Sequence, residues 1–132
     1  MLQYMLDTDI CIYVNKSHPP KLQERFNRLA EQICISAITL AELFYGAENA
    51  ARRIENLQAL ERFVGRLDVL PFSAKAAAHY GQLRTELKLA GKLVGPHDLL
   101  IGAHARAEGL TLVTNNVREF RRMPGLRVEN WV

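Results

Sequence analysis

A chain of 132 residues that is 48% hydrophobic and 23% charged has the size and composition of one folded domain, which excludes disorder and makes a second domain unexpected. Its net charge of +3 and pI near 9.1 suit an anionic partner without demanding one. No apolar run approaches the roughly 20 residues of a membrane span, and the opening lacks the basic and apolar regions of a signal peptide, so a cytoplasmic protein with no membrane partner is expected.

Tyr4-Met5-Leu6 predicts a short apolar strand that stops at Asp7-Thr8. Ile10 to Val14 follows as a first apolar helix, with Thr8 and Asp9 as its N-cap candidates. Pro19-Pro20 starts an amphipathic helix in which Leu22, Phe26 and Leu29 recur at helical spacing to about Ala30. Ile33-Cys34-Ile35 predicts a second buried strand ending in Ser36. Cys34, like Cys11, stands inside an apolar run without ligand spacing, and both read as buried small hydrophobes of a reducing compartment.

Thr39-Leu40-Ala41-Glu42 opens another helix, with Leu40, Leu43, Phe44 and Ala47 assigned to one face. The next helix, from Arg52 to about Leu67, is expected to bury Ile54, Leu57, Leu60, Phe63 and Val64. Val69-Leu70-Pro71 predicts a third strand that ends at once or lies at an edge. Ser73 can cap a long helix to about Ala90, with Gly91 as its stop. Pro96 to about Glu108 is a helix apolar on most sides, and therefore buried. Leu110 to Val113 predicts a fourth strand ending in Thr114-Asn115-Asn116, before a short helix at Arg118 to Arg122 and a last strand at Leu126 to Val128.

Strands alternating with helices predict an α/β domain with a mainly parallel central sheet flanked by helices on both faces. Ligands of such sheets gather beyond the carboxyl ends of the strands. Asp7 lies at the end of the first strand, Glu42 beyond the second, and Asp98 at the start of the buried helix. Each acid has a structural alternative. Asp7 could cap a helix, Thr39-x-x-Glu42 has the form of a capping box, and Asp98 sits where a helix dipole favours a carboxylate.

Three carboxylates converging on one sheet edge would repel one another unless a cation neutralised them. An all-oxygen site suits Mg²⁺, or Mn²⁺ in its place. One or two such ions would activate water against a phosphodiester. Asp7 and Asp98 are the expected direct ligands, and Glu42 is expected to act through water or to orient the nucleophile. Thr8, Ser36 and Thr114 are candidates for orienting the carboxylates or their waters. Lys92, Arg118, Arg121 and Arg122 could track phosphates, and His97, beside Asp98, could touch one. His97 and His104 are seven apart, but without a third ligand nearby they make a poor metal pair.

Four ordered blocks carry a resemblance that runs nearly end to end. They are Met5-Leu6-Asp7-Thr8-Asp9-Ile10, the run from Ile35 to Ala47 around Glu42, Gly95-Pro96-His97-Asp98 through Ala105, and Leu112-Val113-Thr114-Asn115-Asn116 through Phe120. With these the chain resembles the PIN-domain ribonucleases, in particular the VapC toxins of bacterial type II toxin–antitoxin modules.

The resemblance implies a single PIN-like domain over residues 1–132 and a Mg²⁺-dependent endoribonuclease. It implies inhibition by a VapB-like antitoxin, a homodimer or larger hetero-oligomer, and contact with operator DNA only through the antitoxin. It implies structured RNA as substrate, tRNA foremost, with the initiator tRNA anticodon loop as the leading expectation. The family's three acids fall on Asp7, Glu42 and Asp98, and a fourth, present in many members, falls on Asn116. Glu119, one turn further on, is expected to compensate. Asp9 stands where relatives usually carry Asn, and is read as a helix cap in preference to an outer ligand. A structure-selective DNA nuclease and a non-catalytic module for nucleic acid or a protein partner remain the alternatives.

Overall fold

The computed structural model describes residues 1–132. Its elements in chain order are β1 (Tyr4–Leu6), α1 (Thr8–Asn15), α2 (Pro20–Leu29), β2 (Ile33–Ser36), α3 (Ala37–Glu48), α4 (Arg53–Val64) and β3 (Asp68–Leu70). These are followed by α5 (Ala74–Leu89), α6 (Pro96–Ala107), β4 (Thr111–Val113), α7 (Val117–Phe120) and β5 (Val128–Glu129). A single 3-10 turn, Ala30–Gln32, joins α2 to β2.

The five strands form one sheet in the order β3-β2-β1-β4-β5, and every pairing is parallel. Asp68–Leu70 is an edge strand, as Pro71 predicted. Strand order reverses at β1, whose neighbours are β2 on one side and β4 on the other. The carboxyl ends of β1 and β4 therefore flank the switch point where open α/β sheets bind ligands.

The period-two alternation of strand side chains divides the core in two. Leu6, Ile33, Ile35 and Val113 join a cluster with Ile10, Val14, Leu22, Phe26, Leu60 and Phe63 on the α1, α2 and α4 face. Met5, Cys34 and Leu112 join Leu83, Leu87, Leu99, Ile101 and Phe120 on the opposite face. Burial on both faces explains why these strands read as continuous apolar runs. Both cysteines are free and buried. Burial raises the Cys11 thiol well above its ordinary value and pushes Cys34 up to about 12, so neither serves as a thiolate.

Three local expectations are corrected. Asp7, not Thr8 or Asp9, is the N-cap of α1, because its carboxylate accepts the Thr8 N–H. Helix α3 begins three residues earlier than its capping-box reading required, since the Ser36 hydroxyl accepts the Ile38 N–H. Thr39 consequently lies inside the helix with its hydroxyl buried and unpaired, and Glu42 is in mid-helix. Finally, Ile54 is 60% exposed although it was expected to be buried, and Phe44, placed on one apolar face with Leu40, Leu43 and Ala47, is 47% exposed. No helix is long and apolar enough to cross a membrane.

Candidate active site

Asp7 leaves β1 with its N–H bonded to the Val113 carbonyl at 2.9 Å, which fastens the residue to the neighbouring strand. Its side chain is only 5% exposed. One carboxylate oxygen accepts the Thr8 N–H and the other the Thr114 hydroxyl, both at 2.8 Å. Despite those two donors its pKa is raised to about 7, by burial first and by the charge of Asp9 second.

Glu42 reaches the same edge from α3. Its Oε1 accepts the Thr8 hydroxyl at 2.7 Å, and its Oε2 lies 3.2 Å from His97 Nδ1, an ion pair when the ring is protonated. Asp98 stands in the first turn of α6. Burial and then the Glu119 charge raise its pKa to about 6. Asp9 is raised chiefly by burial; Oδ2 accepts the Asn115 N–H at 3.2 Å, while Oδ1 is buried without any partner.

Across from these acids, Asn116 donates its amide to Glu119 at 2.8 Å and to Asp98 at 3.4 Å. Its own N–H is bonded to Thr114 Oγ1 at 2.9 Å. Glu119 also accepts the Gly95 N–H at 2.7 Å, and that bond, followed by the Asn116 amide, lowers its pKa. One hydrogen-bonded chain thus runs Glu42, Thr8, Asp7, Thr114, Asn116 to Asp98 and Glu119.

The three sequence-predicted acids and four of their predicted neighbours, Thr8, Thr114, Asn116 and Glu119, are therefore joined. Asp9 flanks the chain through Asn115. Ser36 is different, because it reaches no carboxylate; its hydroxyl caps α3 and meets His104 Nδ1 at 2.8 Å. His104 is fully buried, so it makes no metal pair with exposed His97. Lys92, Arg118 and Arg121 are exposed, whereas Arg122 donates to the Leu93 carbonyl at 3.3 Å. The backbone donors Gly95 and Asn115 escaped sequence reasoning. A loop N–H carries no side-chain signature.

No three His, Cys, Asp or Glu side chains close to a ready-made metal cage. The donor set nevertheless fits a hard divalent cation. All the side-chain donors at the edge except His97 are oxygens, and Asp7 and Asp98 are each burdened by neighbouring negative charge. Asp9 Oδ1 is a buried acceptor lacking a donor. A cation at the mouth would relieve both conditions, with Asp7 and Asp98 as the closest candidates to hold it.

A family model described as PIN domain matches residues 4–126. A ribonuclease VapC2 from Haemophilus influenzae is 52% identical over 132 residues, covering 100% of both chains. A protein from Shigella flexneri called tRNA(fMet)-specific endonuclease VapC is also 52% identical, over 99% of each chain. Among solved structures, the DNA-bound VapBC of Salmonella typhimurium contains a chain 49% identical with a TM-score of 0.97, covered fully in both directions. VapBC2 of Rickettsia felis, bound to a promoter DNA fragment, gives 45% identity and a TM-score of 0.93 over 99% of this chain and 100% of that one.

Proposed function

Because the chain belongs to the PIN-domain family and, within it, to the VapC toxin ribonucleases, we propose that Asp7, Glu42 and Asp98 are its working acids, that Mg²⁺ is its ion, and that a tRNA is its substrate. Nucleases of this family use a divalent metal ion, and Mn²⁺ is expected to substitute for Mg²⁺ here. The observation that carries the proposal is the hydrogen-bonded chain of carboxylates at the β1/β4 switch point.

The bound ion would supply a water of lowered pKa and offset the charge that develops on the phosphoryl group. The remaining work falls to the protein. Thr114 and the Thr8 N–H hold the Asp7 carboxylate in one orientation. The Thr8 hydroxyl and His97 fix Glu42 from opposite sides, leaving it positioned to order a water. Asn116 spaces Asp98 from Glu119 and moderates their repulsion. Lys92, Arg118 and Arg121, which are exposed, are proposed to carry phosphates that the acidic floor would otherwise repel.

Support for initiator tRNA comes from the Shigella flexneri and Salmonella typhimurium relatives, both called tRNA(fMet)-specific and 52% and 50% identical. Support for a VapB-like antitoxin comes from the VapBC complexes and from a groove of about 330 Å³ that starts at Thr8 and Glu42 and reaches Leu60 and Phe63. A short apolar segment laid there would cover part of the groove and end beside the acids. A homodimer or larger assembly with the antitoxin, operator DNA reached through the antitoxin, and a cytoplasmic location complete the proposal.

The deciding experiment sequences RNA 5′ ends after brief expression of the wild type and of Asp98→Asn, alongside cleavage of matched RNA and DNA hairpins. New ends confined to one tRNA, absent in Asp98→Asn and with EDTA, are expected. Cleavage unaffected by EDTA would remove the metal from the reading, and preference for the DNA hairpin would replace the substrate.

A further inference from the structure

His97 and His104 stand two helical turns apart and project from the same face of α6. Each meets α3, His97 through Glu42 at 3.2 Å and His104 through Ser36 at 2.8 Å. The earlier histidine meets the later residue of α3, so the two helices run antiparallel and are fastened at two points. The outer fastening is exposed and contains a working acid. The inner one is fully buried at both residues.

Burying an imidazole is costly unless its nitrogens are satisfied. Here only Nδ1 is bonded; Nε2 has no hydrogen-bond partner, and the ring stands T-shaped against Phe72 with centroids 5.4 Å apart. An apolar residue would fill that space without the penalty. The single bond made is to the residue that ends β2 and caps α3. Ser36 Oγ accepts the Ile38 N–H and still has its proton and a second lone pair, so it can meet Nδ1 in either tautomer of the ring. Glu42 is six residues beyond Ser36 along α3, and Asp98 six residues before His104 along α6. At about 1.5 Å per residue, each acid lies roughly 9 Å from this fastening. A tilt or slip at the fastening is carried outward to both.

We propose that His104 is a positioning residue for the reaction: by bonding the cap of α3 from within α6, it sets the register of the two helices and hence the separation of Glu42 and Asp98. The proposal rests on Glu42 and Asp98 being working acids. It assigns His104 no contact with RNA or ion.

The variants that test it are His104→Asn, whose amide can reach the place of Nδ1, and His104→Gln, whose amide reaches that of Nε2 instead. His104→Leu keeps the bulk and removes the bond altogether. Mn²⁺ binding by calorimetry, affinity for uncleaved RNA in EDTA, and single-turnover cleavage at saturating RNA are measured well below each thermal midpoint. His104→Gln and His104→Leu are expected to bind Mn²⁺ about tenfold more weakly and to cleave roughly 30- to 100-fold more slowly. RNA affinity should stay unchanged, and His104→Asn should recover most of both losses.

Wild-type Mn²⁺ affinity and rate in a folded His104→Leu overturns the proposal, as does a His104→Asn no better than His104→Gln. If His104→Leu does not fold, the comparison of Asn with Gln decides alone. Asp98→Asn is run beside them. Retained Mn²⁺ affinity and cleavage there would sink the site reading itself, whereas their loss there with no effect at His104 would sink only this inference.

Discussion

Asp7 and Glu119 belong to one acidic edge and are held in opposite ways. Asp7 is buried at the exit of β1, and its pKa is raised to about 7 despite two hydrogen bonds. Glu119 lies on a short surface helix, and its pKa is lowered by the Gly95 N–H and the Asn116 amide. The buried wall therefore stores electrostatic cost that a cation can release, while the outer wall is already satisfied by protein donors. Ion affinity should come mainly from the first wall. The second should set spacing.

The strongest way to break that contrast is Asp7→Asn, which keeps the shape and removes the charge. Cleavage should fall by at least about 10³-fold, while the metal-free protein at pH 8 should become more stable by on the order of 1–2 kcal/mol. Urea unfolding in EDTA measures the second effect. A loss of stability there would mean that Asp7 acts as a helix cap before anything else.

The pH dependence of stability gives the next test. The folded-state pKa of Asp7, about 7, and of Asp98, about 6, exceed their ordinary value of 3.8. Each therefore contributes stability that is fully present below about pH 4 and lost as the pH rises through 6 to 7. His104 works in the other sense: burial lowers its pKa, so stability is lost as the pH falls below its ordinary 6.5. Without divalent ions, the stability contributed by these acids should fall between about pH 4 and 7, read as the difference between the wild type and Asp7→Asn so that the His104 contribution cancels, and saturating Mg²⁺ should diminish that fall. A wild-type thermal midpoint that does not fall relative to that of Asp7→Asn from about pH 4 to 7 in EDTA would contradict the charge stored at the buried wall.

Glu119→Gln probes the outer wall and should do less. Losing a charged acceptor at a largely solvated site should cost about 0.5 kcal/mol and slow cleavage by about tenfold or less. Equal damage from Glu119→Gln and Asp7→Asn, in the same cleavage assay, would erase the difference between the walls.

The buried wall was also the more legible of the two in the sequence. Asp7 and Thr114 end apolar strands and Asp98 opens an apolar helix, boundaries marked by composition alone, and the alternation of strands with helices placed them at one edge. Local capping was misread for a specific reason. Thr39-x-x-Glu42 satisfies the capping-box pattern, but Ser36 leaves the strand three residues sooner and takes the role first. Ile54 and Phe44 failed because helical periodicity identifies an apolar face without saying whether this chain or a partner covers it. His104 read as one half of a poor metal pair because its true partner, Ser36, is 68 residues away in sequence. The Gly95 and Asn115 N–H groups depend on loop geometry that no residue type announces.

Asn116→Asp turns the outer wall into something more like the inner one. The substitution removes the amide donated to Glu119 and Asp98, and it adds a fourth carboxylate where that donor stood. Both changes increase repulsion around Asp98, so the metal-free protein should lose on the order of 1 kcal/mol at pH 8. The same added charge should tighten Mg²⁺ binding, and the stabilisation produced by saturating Mg²⁺ should exceed that of the wild type by about the amount lost without it. Thermal midpoints with and without Mg²⁺ separate the terms. If Asn116→Asp weakens the Mg²⁺ response, the amide is worth more as a spacer of Asp98 and Glu119 than a fourth carboxylate is as a ligand.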